Sequence, residues 1–361
     1  MFNIKKQLLK LYSSSILGSL SLTGAWVAIL SSRGYSPVEI GFAETVFHAV
    51  SLIFEIPSGV LADVFGRKKM LIASAVLRMI ASVIMIFSHD LFTVCLSIAF
   101  QALCFNAASG SDEALAYDSL KTVKKESDFE RYNSNCLIIY RICGGISTLC
   151  AGFALAIGYK AAYSTDLIMC VMQILVLSSL CEVQIKKSER GKVWTRLIGS
   201  FSESLAFLKR SAKAIRIMLC NSFVGAVDTL LLFFLQAKLP ERGIPEWQLG
   251  FALLFMELGG VVGSKLILRI KGLRYKWVFA LSAALVFAGT AAEGSLSYYV
   301  MILGGFISAA GDDALQVRTN ALLQDMFPSE QRASLTSVDS FTFSVIMIIL
   351  SPIAGFIFSI Y

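Results

Sequence analysis

Apolar runs of about 20 residues alternate with short polar segments along almost the whole chain. A helix of this length crosses the ~30 Å hydrocarbon core of a bilayer, and neighbouring helices satisfy backbone groups freed by Gly or Pro. We therefore predict an all-α membrane protein with eleven transmembrane helices. The predicted spans are residues 11–31, 38–62, 70–88, 91–118, 132–158, 161–181, 214–236, 247–268, 277–294, 296–325 and 333–360.

The composition argues against a large soluble enzyme, because 56% of the residues are hydrophobic, only 16% are charged and the mean hydropathy is +0.70. The 8 cysteines lie within or beside apolar runs without a C-x-x-C pair, which predicts a packing role. With 2 histidines we expect no metal centre and no cofactor. No Walker A loop, G-x-S-x-G or H-E-x-x-H motif occurs, so we predict that the chain is not an enzyme.

The net charge of +7 is a topology signal rather than a sign of nucleic-acid binding. When the predicted spans are numbered and sides alternate, most of the 32 cations fall on the side of the amino terminus. Because positive loops stay in the cytoplasm, we predict a multi-pass protein of the plasma membrane with a cytoplasmic amino terminus and Tyr361 outside. Anionic lipid headgroups are the expected partners of the basic surface.

The longest polar segment divides the predicted spans into two groups. We expect an amino-terminal bundle of six helices at 1–181, a cytoplasmic segment with an amphipathic helix at 182–213, and a carboxyl-terminal bundle of five helices at 214–361. The stretch "SGSDEALAYDSL" in the fourth span is similar to "AAGDDALQVRTN" in the tenth, which aligns Asp112 with Asp312 and Glu113 with Asp313. The pattern predicts a duplicated six-helix unit whose last helix is missing from the second copy. A truncated twelve-helix protein and a functional eleven-helix form both remain open.

The stretch "SGVLADVFGRKKML" follows the second span and resembles the signature G-x-x-x-D-[RK]-x-G-[RK]-[RK] of the major facilitator superfamily. Val64 stands where the signature has a basic residue. The resemblance implies two bundles around a central cavity, with Asp63 facing the start of the eleventh helix near Ser334 and Arg67 paired with an acid. It implies a cytoplasmic gate made by Gly59, Asp63, Gly66, Arg67, Lys68 and Asp118.

Charged residues inside apolar spans are costly and are usually functional. A rise of ~1.5 Å per residue places Glu55, Arg78, Glu113 and Arg141 near the midplane of the membrane, where two acids and two bases could neutralise one another. Internal ion pairs that hold each bundle together are one interpretation, and an acid that binds and releases protons, with Glu113 and Asp312 the leading candidates, is the other. The proposed proton-coupling or cavity residues are Glu55, Arg78, Asp112, Glu113, Arg141, Asp312 and Asp313.

Weaker candidates for the wall of a substrate cavity follow from helical spacing. Glu44, His48, Ser51 and Glu55 share one face of the second span, although a single histidine in such a span is more often a packing residue. The predicted substrate-cavity residues are Glu44, His48, Asn106, Tyr140 and Asp228.

The function that we expect is secondary active transport. More specifically, we expect an antiporter that exports drugs or other amphipathic compounds in exchange for protons. Among members of the superfamily the chain is most similar to the bacterial multidrug-resistance exporters. The alternatives are a proton symporter that takes up a sugar or another metabolite, and a truncated, non-transporting remnant or membrane receptor. The expected partners are a small-molecule substrate, protons and membrane lipids, with no nucleic acid, and we expect a monomer.

Overall fold

The computed structural model describes residues 3–182, 199, 211–270, 272–326 and 332–360, and every regular element within these ranges is a helix. For a few helical residues it describes the backbone alone, so the side chains of Asp63 and Ser334 and the surroundings of Gly59 are not described. The amphipathic helix expected within 182–213 and the terminal Tyr361 lie outside the described residues.

In the described ranges nine α-helices and the short 3₁₀ helix Glu126–Asp128 precede the central segment, residues 182–213, and five α-helices follow it. The first nine are α1 (Ile4–Ser19), α2 (Trp26–Ser32), α3 (Pro37–Phe65), α4 (Arg67–Phe87), α5 (Leu91–Ala108), α6 (Ser111–Thr122), α7 (Phe129–Leu149), α8 (Ala151–Ile157) and α9 (Tyr159–Ser178). The last five are α10 (Ala212–Glu241), α11 (Glu246–Arg269), α12 (Tyr275–Ala292), α13 (Tyr298–Met326) and α14 (Arg332–Ile360).

Nine helical segments of the described chain are long and apolar enough to cross a membrane, and α7 with α8, bent by 48°, makes up to ten. One of the nine, Leu91–Thr122, joins α5 and α6 across Gly110, whose φ of 68° suits glycine. The first predicted span is divided into α1 and α2 by the segment 20–25, so neither piece alone spans a bilayer. Nine of the eleven predicted spans therefore correspond to single candidate spans, the predicted span 132–158 corresponds to the bent pair α7 and α8, and the predicted span 11–31 is divided into α1 and α2.

The helices form two compact units, one comprising Met1–Gly24 with Val46–Leu197 and the other Ala25–Thr45 with Ile198–Tyr361. The first unit packs Leu11, Leu71, Leu115 and Leu177 around the fully buried ring of Tyr132. Burial of these side chains joins α1, α4, α6, α7 and α9 into one bundle.

In the second unit, α11 and α13 approach so closely that glycine is required at their contact. A methyl group on Gly259 would collide with the backbone of Phe306, and one on Gly263 would collide with that of Ala310. This Gly-x-x-x-Gly pattern is typical of membrane helices, which gain van der Waals contact when small residues allow their backbones to approach.

The segment Ala25–Thr45 precedes most of the first bundle in the chain but packs with the second unit. Trp26 of α2 makes an edge-on contact with Phe233 of α10, with ring centroids 5.8 Å apart. Gly41 of α3 lies against the carbonyl of Ser351, and Gly355 of α14 lies against that of Pro37. The chain thus passes between the units near Gly24 and again near Thr45, in addition to the central segment.

Candidate functional site

The break between α1 and α2 is held by Arg78, a buried arginine of α4. Its guanidinium donates hydrogen bonds to the carbonyls of Gly18 at 2.6 Å and Leu17 at 3.0 Å, and to the side chain of Gln173 at 3.2 Å. The last carbonyls of a helix lack partners within it and carry partial negative charge, so a buried cation is stable there. Among the described residues, Arg78 forms no hydrogen bond or ion pair with Glu55 or Glu113, the acids with which the sequence analysis groups it, and its hydrogen bonds instead bind the end of α1.

A second polar group fixes the residues inside the break. Asp166 of α9 accepts hydrogen bonds from the hydroxyls of Ser21 at 2.9 Å and Thr23 at 2.6 Å. The backbone N–H of Ser21 donates to the hydroxyl of Ser147 at 3.0 Å. Irregular backbone within a membrane needs such partners, because lipid supplies none. Asp166 was missed by the sequence reasoning, although an acid within the sixth predicted span was the available signal.

Asp228 of α10 and the adjacent Asp312 and Asp313 of α13 are carboxylates at helix interfaces of the second unit. Asp228 of α10 is buried and accepts a hydrogen bond of 2.5 Å from the hydroxyl of Ser308. Asp312 lies one turn after Ser308 on α13, and its carboxylate oxygen is 3.3 Å from the position of a Cβ on Gly225 of α10. The two carboxylates therefore share the interface between α10 and α13, where Gly225 leaves room for the second.

The third carboxylate, Asp313, extends to the other side of α13. It lies against Gly260 of α11, and the hydroxyl of Ser264 donates to it at 3.5 Å. Adjacent residues on a helix diverge by about 100°, so Asp312 and Asp313 serve different helix interfaces. Among the three, sequence reasoning ranked Asp312 first and Asp228 among the weaker candidates, whereas the structure makes them neighbours.

The acids that the repeat aligns with Asp312 and Asp313 have a different setting in the first unit. Asp112 is half-buried and Glu113 is exposed, and both lie in the first turn of α6, just after the break at Gly110. No such break occurs in α13, which continues helically through Gly311. The alignment is therefore not matched by equivalent local structure.

The remaining predicted cavity residues fall into two groups. Glu44, His48 and Asn106 are buried, and Asn106 exchanges hydrogen bonds of 2.7 and 2.8 Å with Ser51 on α3. Glu55 is half-buried, and Tyr140 and Arg141 are exposed on α7. Within the described ranges no hydrogen bond or ion pair joins Glu55, Arg78, Glu113 and Arg141 to one another, so these four do not form the neutralising cluster that their depths suggested.

At the signature between α3 and α4, Arg67 forms an ion pair with Asp118 of α6 and donates to the carbonyl of Ala114 at 2.6 Å. This is the pair that the family resemblance implied. The expected contact between Asp63 and the start of α14 lies outside the described side chains.

Glu182, which the sequence reasoning missed, occupies the amino terminus of α4. Its carboxylate accepts the backbone N–H groups of Arg67 at 3.1 Å and Lys68 at 3.0 Å, where the helix dipole favours an anion. The ammonium of Lys68 in return donates to the carbonyls of Ser178 and Leu180, each at 2.7 Å, at the end of α9. The signature thereby anchors the first residues of the central segment.

The amino-terminal helix reinforces this anchor. Gln7 of α1 accepts from the N–H of Cys181 at 3.1 Å and donates to its carbonyl at 2.8 Å. Lys10 donates to the carbonyl of Ser179 at 2.5 Å. Residues 178–182 are therefore bound by α1 and α4 together.

Within the described residues, no group of three or more His, Cys, Asp or Glu side chains is arranged to hold a metal ion.

The membrane-spanning helices, the broken first span and the acids buried between helices together define a polytopic membrane protein of transporter architecture. The sequence profile of the Major Facilitator Superfamily matches residues 11–352, and the chain belongs to that family.

Relatives and solved structures agree with this assignment. An uncharacterized MFS-type transporter, YxaM of Bacillus subtilis (strain 168), is 24% identical over 265 residues, which make up 71% of this chain and 64% of that protein. An uncharacterized transporter of Buchnera aphidicola subsp. Schizaphis graminum is 31% identical over 107 residues, or 30% of this chain and 26% of that protein. The chain therefore spans less than two thirds of the length of these relatives.

Two solved structures show the same fold. A mutant form of the nucleoside transporter NupG has a TM-score of 0.78 at 16% identity, covering 97% of this chain and 90% of that one. A D-xylose-proton symporter has a TM-score of 0.62 at 12% identity, covering 97% of this chain and 87% of that one.

Proposed function

We propose that the chain is a secondary active transporter that moves a small molecule across the bacterial plasma membrane and is driven by the proton gradient. Family membership supports transport, and the charge distribution supports a cytoplasmic amino terminus. The single observation that carries proton coupling is the shared position of Asp228 and Asp312 between α10 and α13.

The chemistry of this pair suits a proton carrier. Two like charges in a medium of low dielectric repel each other, so binding a proton to one of them relieves the repulsion. The hydroxyl of Ser308 holds Asp228 in place, which leaves Asp312 as the group that gains and loses the proton. Its protonation would change the charge balance between α10 and α13, and substrate binding would respond to that change.

The test of coupling uses reconstituted vesicles with an imposed pH gradient. In Asp312→Asn we expect counterflow of substrate to continue while transport driven by the pH gradient is lost. Asp325→Asn is the matched control, because Asp325 lies on the same helix and is exposed. Gradient-driven transport by Asp312→Asn at the wild-type rate would overturn the role of Asp312, and Glu113→Gln would then be examined as the next candidate.

For the substrate, we propose export of amphipathic compounds, because the apolar spans contain few Asn, Gln and Trp residues to bind a hydrophilic solute. Uptake of a polar metabolite is the second candidate, supported by the fold similarity to a nucleoside transporter and a D-xylose-proton symporter. Vesicles with an acidic interior should accumulate a lipophilic cation such as ethidium if the protein is an exchanger. Accumulation of labelled nucleoside or xylose under the opposite gradient would instead establish symport.

A further inference from the structure

A cleft of about 420 Å³ lies in the first unit between α3, α4 and α5. Its walls are apolar, and their main side chains are Phe54, Leu61, Phe65, Leu77 and Leu103. The two uncharged polar side chains in the wall are already engaged. Ser58 donates to the carbonyl of Glu55 at 2.8 Å, and Asn106 donates to that of Ser51 at 2.7 Å. The wall therefore favours an apolar occupant.

Among the described residues, Lys69 is the one charged residue that lines the cleft, and it lies at the end where α4 begins. The preceding basic residues are occupied, because Arg67 pairs with Asp118 and Lys68 donates to carbonyls at the end of α9. Lys69 is exposed, and among the described residues it has no hydrogen-bonding or ion-pair partner. Its charge is available to an anion that approaches the mouth of the cleft.

The length of the cleft matches one leaflet of a bilayer. From Lys69 to Leu77 the chain rises by about 12 Å along α4, at ~1.5 Å per residue. From Phe65 to Phe54 it rises by about 16 Å along α3. Half of a ~30 Å hydrocarbon core is about 15 Å, so the cleft runs from the membrane surface to the region of the midplane.

We propose that this cleft binds one anionic phospholipid of the cytoplasmic leaflet, with the phosphate at Lys69 and one acyl chain lying along α4 as far as Leu77. A charged mouth and an apolar interior of this depth match the two parts of such a lipid. The cation lies beside the signature that anchors residues 178–182, so an occupied cleft would add a lipid to the contacts around the start of α4.

The binding test is native mass spectrometry of the full chain released from detergent, after addition of phosphatidylglycerol or phosphatidylcholine with identical acyl chains. Wild-type protein should retain phosphatidylglycerol in preference to phosphatidylcholine. Lys69→Gln should reduce that preference about fivefold, the amount expected for one cation near an anionic headgroup. Lys5→Gln, which removes an exposed cation at the same end of the bundle, is the matched control and should bind as wild type does.

A second variant and a second ligand separate the two parts of the proposed contact. Ala73→Leu adds bulk to the wall of the cleft, so it should lower retention of both lipids while leaving their ratio unchanged. Glycerol phosphate, which carries the headgroup charge without an acyl chain, should not displace the lipid. The proposal is overturned if Lys69→Gln retains the full preference, if Ala73→Leu binds both lipids as wild type does, or if glycerol phosphate displaces phosphatidylglycerol.

Discussion

Lys238 and Glu293 form an ion pair of 3.1 Å in the second unit, with only 6% and 4% of their side chains exposed. The pair joins the end of α10 to the residue that follows α12, and the ring of Phe358 lies 5.9 Å from the lysine ammonium. Removing one partner of a buried pair leaves an uncompensated charge, whereas removing both often costs little.

Glu293→Gln should therefore lower the free energy of unfolding by about 3–5 kcal/mol. The loss would be measured by thermal or denaturant unfolding of the purified protein in detergent. The double variant Lys238→Met/Glu293→Leu should recover much of the stability, because neither side chain then needs a counter-charge. Equal stability of Glu293→Gln and wild type would show that water or lipid headgroups reach the pair.

Replacing Arg78 by lysine should destabilise the broken first span despite keeping the charge. One ammonium cannot reproduce the fork with which the guanidinium reaches the carbonyls of Leu17 and Gly18 and the amide of Gln173. We expect a loss of about 1–3 kcal/mol, measured by unfolding, since buried carbonyls lose their donors. Arg141→Lys, at an exposed position on α7, is the control and should be neutral.

Gly66→Ala should destabilise the junction between α3 and α4 by about 1–3 kcal/mol, because its φ of 100° and ψ of 147° belong to a region that only glycine adopts readily. A Cβ there would also lie 2.9 Å from a carboxylate oxygen of Glu182. Gly144→Ala is the control, since a methyl group there meets nothing within 4 Å. Unfolding of the two variants at the same midpoint would contradict the strained geometry at Gly66.

The stability of the amino-terminal end of α5 should depend on pH through Asp90, which caps this helix. Hydrogen bonds from the side chain and the backbone of Thr93 lower the pKa of this carboxyl below its ordinary value of 3.8. A lowered pKa means that the ionised form stabilises the folded state above about pH 4, and that this contribution is lost as the pH falls through the folded-state pKa.

The stability difference between wild type and Asp90→Ala should accordingly be smaller below the ordinary pKa of 3.8 than at pH 5. Denaturant unfolding over this pH range measures it. A difference that grew on acidification would mean that the neutral carboxyl is the better cap.

The helices that cross the membrane could be predicted from the sequence because length and hydropathy alone determine whether a segment can span a bilayer. One feature that was not predicted, the division of the first span at residues 20–25, depends on Arg78 and Asp166, which come from other helices. No local pattern of residues in the first span reports on those distant partners.

The candidate site was predictable only in part for the same reason. The pair of Arg67 and Asp118 was expected because a family signature carries it, whereas Glu182 lies in a polar segment without any pattern. The depth in the membrane that the sequence predicts suggested that charges on α3, α4, α6 and α7 neutralise one another. Depth does not tell which face of a helix a side chain occupies. Asp228 and Asp312 are close because α10 and α13 pack through Gly225, a contact between distant parts of the chain.

The position of the segment Ala25–Thr45 in the second unit affects any attempt to express the halves as separate polypeptides. A cut within the central segment would place Ala25–Thr45 on one fragment and its contacts at Phe233, Ser351 and Gly355 on the other. The carboxyl-terminal fragment alone would lack these contacts, and co-expression of both fragments would allow them to form again.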